Sequence, residues 1–149
     1  MTARWIAASL HLLALGIGLG AVWSRGRALR RPLEPGSFQQ LFLADALWGL
    51  AAVFWISTGL WRLLGGLEKG TGYYLQNHLF LLKMALLVAV LCLEVRPMLT
   101  LIRWRSLVSR GMTPETSAAS ALARISYLQA ALIVLMVFAA TAMARGVGT

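Results

Sequence analysis

Cysteine, histidine and acid are nearly missing from this chain of 149 residues: one Cys, two His and five Asp plus Glu. With Cys92 alone, no internal disulfide is possible. Charged residues make up only 13% of the sequence and hydrophobic ones 59%, with a mean hydropathy of +0.73. That balance excludes a water-soluble domain, which has to cover its core with polar surface. No Cys-x-x-Cys-His motif occurs, so a haem attached through cysteines is excluded as well. The alternation of Gly16, Gly18 and Gly20 is not a dinucleotide fingerprint, because these glycines lie inside an apolar run with no strand before them.

What is present is four apolar runs, at residues 5–24, 41–61, 73–95 and 122–143. Each is near the ~20 residues that cross ~30 Å of hydrocarbon. The first run is span-length and reads as a retained helix rather than a leader. Little chain is left over, so the expectation is a single membrane domain over 1–149. Its expected fold is all-α, an antiparallel four-helix transmembrane bundle in a lipid bilayer. Residues 98–110 mix Leu, Ile and Trp with arginines beyond Pro97 and read as a helical extension along the interface. Thr113, Pro114 and Glu115 read as the start of the last helix, a hydroxyl cap followed by proline and an acid.

The net charge of +9 would suggest nucleic acid in a soluble protein, but the basic residues gather in the connections between the apolar runs. Membrane topology accounts for them, and no nucleic-acid partner is expected. Arg25, Arg27, Arg30 and Arg31 follow the first run, and Arg96, Arg103, Arg105, Arg110 and Arg124 surround the connection between the third and fourth. The opposite side carries Arg4, Arg62, Lys69 and Arg145. The positive-inside rule then puts both termini on the outer side. Trp5, Trp61, Tyr73 and Tyr74 at one end, with Trp23, Phe38 and Trp104 at the other, fit aromatic belts.

Polar residues inside apolar runs are costly, so they are where chemistry is sought. His11 is six residues past Trp5 and His78 is five past Tyr73, on runs that cross in the same direction. Two imidazoles at one depth are the expected axial ligands of a haem b iron, with an electron-transfer or redox role. The competing reading is that each histidine bonds a neighbouring helix. Gly18, seven residues beyond His11, would leave room for the macrocycle, while Arg62 and Lys69 would meet its propionates. Lys83 lies in the middle of the third run, where a charged lysine costs roughly 2.5 to 3.5 kcal/mol, and forms a polar stripe with Gln76 and Glu94. It is read as a substrate or propionate contact. Asp45, Glu94, Arg96 and Arg124 fall at similar depth and are expected to form ion pairs, with a proton relay as the sharper alternative. Trp48 and Trp55 share a face of the second run, suited to a porphyrin or to ordinary packing.

The stretches HLLALGIGLGAV (11–22), GGLEKG (65–70), KMALL (83–87) and MARG (143–146) resemble a bacterial four-span membrane family of unknown function. More distantly, the chain is similar to the HemJ type of protoporphyrinogen oxidase. His11 in SLH matches that family's first-span histidine and Lys83 in LKM its third-span lysine. The chain departs where that family has a histidine two residues before the lysine and this sequence has Leu81. The resemblance implies a bacterial inner-membrane protein, haem b, and an oxidoreductase in which Lys83 is the catalytic candidate. The expected partners are a membrane redox protein or a second copy of the chain. An accessory or scaffold subunit, and a small transporter using Lys83, Glu94 and Asp45, are the alternatives from other classes.

Overall fold

A computed structural model describes residues 2–65 and 71–147, apart from the side chains of Thr71 and Tyr74. All regular structure among them is helical: α1 (Thr2–Arg30), α2 (Phe38–Leu64), the short α3 (Thr71–Gln76), α4 (His78–Ser109) and α5 (Ala119–Ala144). The four long helices are each long and apolar enough to cross a membrane. They form a bundle in which α1 packs on α2 and α5, and α5 packs on α4. The series therefore runs α2, α1, α5, α4, and the two outer members face each other across the remaining side.

Small and flat residues make the close approaches. Ala7, His11, Ala14, Gly18, Ala21, Val22 and Arg25 are all buried, spaced by three or four along one face of α1. A Cβ at Gly18 would stand 3.3 Å from the Trp48 ring, so glycine lets this indole sit close against α1 without displacement. The middle of the bundle is filled by Val22, Trp48, Trp55, Val90, Ile133 and Met136. A second cluster, with Leu29, Phe38, Leu41, Leu101, Trp104 and Leu122, closes the end where α1 finishes. Leucines such as Leu12, Leu50 and Leu135 point outward, as expected of surfaces solvated by acyl chains.

Three sequence expectations change. The third apolar run is not one helix from residue 73: Asn77 is extended (φ −89°, ψ 116°), and its Oδ1 accepts from the amides of Leu79 and Phe80, capping α4. Asparagine is among the best residues for that task, because its side chain satisfies amides that have no helical partner. His78 is therefore the first residue of α4, and Gln76 lies on α3, off the stripe that Lys83 and Glu94 share.

The segment 98–110 continues α4 through Pro97, with Leu101 and Trp104 buried against α2 and α5. Phe38 and Trp104 accordingly leave the aromatic belt and meet edge to face at 6.1 Å, while Trp5 and Trp23 are exposed. The last helix does not start at Thr113. Residues 112–116 are irregular, the Ala119 amide bonds Thr116 O, and α5 begins without a side-chain cap.

Candidate functional site

Two polar centres lie inside the bundle, and His11 belongs to the smaller one. Its Nε2 accepts from the Trp55 indole N–H at 3.1 Å. That leaves the proton on Nδ1, 3.0 Å from both Trp55 O and Thr58 Oγ1. Thr58 sends its own hydroxyl proton back to Phe54 O at 2.7 Å and is free to accept. The arrangement fixes a neutral imidazole with one tautomer, held by α2 at both nitrogens. Gly59 makes it possible, since a Cβ there would be 3.1 Å from His11 Cε1.

On its open side, the His11 ring faces a slot between α2 and α4. Two adjoining cavities of about 100 and 70 Å³ share His11, Gly59, Leu63, Phe80 and Lys83. Arg62 and Met143 line the smaller, while Trp55, Leu60, Met84, Leu87 and Met136 line the larger. The walls are apolar and the polar groups are a lysine, an arginine and an imidazole. Two cations above a greasy floor suit the acidic end of an otherwise apolar molecule.

Arg25 organises the larger centre, and no side-chain surface of it is exposed. Nε donates to Ser126 Oγ at 3.0 Å, Nη1 to Asp45 and Glu94 at 2.9 Å each, and Nη2 to Glu94 Oε2 at 3.0 Å and Gln129 Oε1 at 2.7 Å. All four spans contribute to this one guanidinium. Glu94 also accepts from Trp48 Nε1 and Gln129 Nε2, whose second bond goes to Val90 O. Arg105 completes the set by pairing with Asp45 at 2.9 Å and bonding Phe42 O. Two arginines against two carboxylates make the cluster neutral, and every polar atom on Arg25 is used.

Several sequence-derived candidates are thus brought together and others are not. His11, Lys83 and Arg62 line one slot. Gly18 is filled by Trp48 instead of opening toward a ligand. His78 is exposed at the start of α4 and does not line the slot. Lys69 lies outside the described residues. Asp45 and Glu94 do pair, but with Arg25 and Arg105, while Arg96 and Arg124 are exposed and take no part. Among the described residues no three His, Cys, Asp or Glu side chains converge as metal ligands.

A haem held between two imidazoles does not fit this arrangement. Both His11 nitrogens are engaged with α2, His78 is elsewhere, and cavities near 100 Å³ fall well short of the roughly 300 Å³ or more that a drug-sized ligand occupies.

Arg25 and Gln129 were missed by sequence reasoning, although Arg25 was visible in principle. Residues 11, 14, 18, 22 and 25 recur at helical spacing, so continuing α1 by one turn places the arginine on the His11 face. Reading the first run as ending at Ser24 hid it.

No curated protein and no solved structure matches the chain. One family model does, over residues 3–148, described as a predicted membrane protein (DUF2214). The match takes in all four candidate spans, and the chain belongs to that family.

Proposed function

We propose that the slot beside His11 binds the acidic head of a single-chain amphiphile, with Lys83 and Arg62 meeting the charge and the tail leaving between α2 and α4 into the bilayer. The observation that carries this is the convergence of His11, Lys83 and Arg62 on one small cavity that adjoins a larger apolar one. Size selects the ligand class. A dry cavity of ~150 Å³ accepts a molecule such as benzene, so a carboxyl group with its first few carbons suits the space and a macrocycle does not.

In this reading the bundle is antiparallel, in a bacterial inner membrane, with both termini outside and the slot in the outer half. The arginine-rich connections support that orientation. Lys83 orients the head by charge, and His11, bonded at both ring nitrogens, presents a ring edge beside it.

The test is equilibrium binding to detergent-purified protein of a long-chain carboxylic acid and of the alcohol of equal length. The acid should bind at least tenfold tighter, and Lys83→Gln with Arg62→Gln should remove the difference. Equal binding of acid and alcohol would refute the reading.

Haem b with a redox role is the second reading, and one observation favours it: His11 and Lys83, the two positions that resemble the HemJ family, line the same slot. It requires α2 and α4 to part and the Trp55 indole to release Nε2. A Soret band in protein from haem-replete cells, lost in His11→Ala, is its expected sign. A colourless preparation that cannot be reconstituted rejects it.

A further inference from the structure

Next to the Arg25 centre but lined by none of its residues, a groove of about 200 Å³ runs between the end of α1 and the start of α2. Ser24, Arg27 and Ala28 form its α1 wall, at spacings of three and four that put them on one helix face, and Arg31 follows directly after the helix end. Gln40 and Ala44, one turn apart, form its α2 wall. Two alanines make the recess, because larger side chains at 28 and 44 would fill it. Its rim offers two guanidinium groups, a hydroxyl and an amide, and no carboxylate lines it.

Asp45 and Glu94 are saturated by Arg25 and Arg105, and no ion pair among the described residues joins Arg27 or Arg31 to a carboxylate, Glu34 beyond the end of α1 included. Both arginines are exposed at the end of a membrane-length helix, the depth at which headgroups lie. We infer that this groove is a binding site for the phosphodiester headgroup of an anionic phospholipid. Arginine forks suit phosphate oxygens bidentately, and basic recesses between membrane helices are the usual form of such sites. At ~30 Å³ for each water-sized group, the volume holds about six or seven of them, enough for a phosphate and its ester carbons.

Native mass spectrometry of the protein released from nanodiscs containing equal phosphatidylglycerol and phosphatidylethanolamine tests this. The full chain should retain phosphatidylglycerol preferentially. Arg27→Gln with Arg31→Gln should lower that retention at least fivefold, while Arg103→Gln with Arg110→Gln should leave it unchanged. Ala28→Leu, which keeps every charge and fills the recess, should lower it as much as the first pair does. Retention by Ala28→Leu at the wild-type level, or equal losses in the two arginine pairs, would overturn the proposal in favour of diffuse charge. Displacement by soluble glycerol phosphate at millimolar concentration would overturn it in favour of a free phosphate site. Circular dichroism on each variant separates lost binding from lost fold.

Discussion

Arg25 uses all five of its N–H donors on groups from the other three spans, and that saturation decides what replacing it will do. Removing one member of a buried charge cluster leaves the others desolvated without compensation, at about 3 to 5 kcal/mol. Arg25→Ala should therefore lower stability by that amount in denaturant or thermal titrations in detergent. Arg25→Lys should recover little, since a point charge with three donors cannot serve Ser126, Asp45, Glu94 and Gln129 together. Full stability of the lysine variant would mean that charge alone, without the fork, holds the centre. His11 differs in kind, bonding α2 at both ring nitrogens. Gly59→Val should push its ring from its bonds to Trp55 and Thr58 and abolish ligand binding, with the helices still formed by circular dichroism.

At the scale of the helices, Asn77 is the most telling residue. Its Oδ1 caps α4, while its Nδ2 is buried with no hydrogen-bond partner among the described residues. One side chain thus both stabilises and costs. Asn77→Ser keeps the capping oxygen and drops the stranded amide, so it should melt at or above the wild-type temperature. Asn77→Ala loses the cap and should cost about 1 kcal/mol. If both melt alike, the cap contributes nothing.

The same residue explains a limit of the sequence. Hydropathy alone located the four long helices α1, α2, α4 and α5, because long apolar runs in lipid leave few alternatives, but it ended the third run at residue 95 where α4 continues to Ser109. It could not register a single extended residue inside an apolar run, which moved His78 from two turns deep to the first turn. Nor could it distinguish an outward Trp104 from an inward one, since that depends on whether α4 continues past Pro97.

For the molecule as a whole, the bundle is tied at one end and hollow at the other. Where α1 ends, Trp48 to Glu94, Arg105 to Asp45 and Phe38 on Trp104 join α2 to α4 directly. Toward the other end, the same two helices enclose the slot. The candidate site was partly legible: His11, Lys83 and Arg62 drew notice as polar residues in apolar surroundings, whereas their meeting depended on which helices pack together. Periplasmic and cytoplasmic reporter fusions at Thr2 and Arg145 should both report the outer side, and a cytoplasmic signal from either would reverse the orientation.

The account turns on what enters the slot. Photolabelling the protein in membranes with a long-chain carboxylic acid that bears a diazirine a few carbons from the carboxyl group, followed by peptide mapping, reads this directly. Adducts should concentrate on Leu60, Leu63, Met84 and Leu87 and disappear in Lys83→Gln with Arg62→Gln. Adducts spread over outward residues such as Leu12, Leu50 and Leu135, unchanged in that variant, would contradict it.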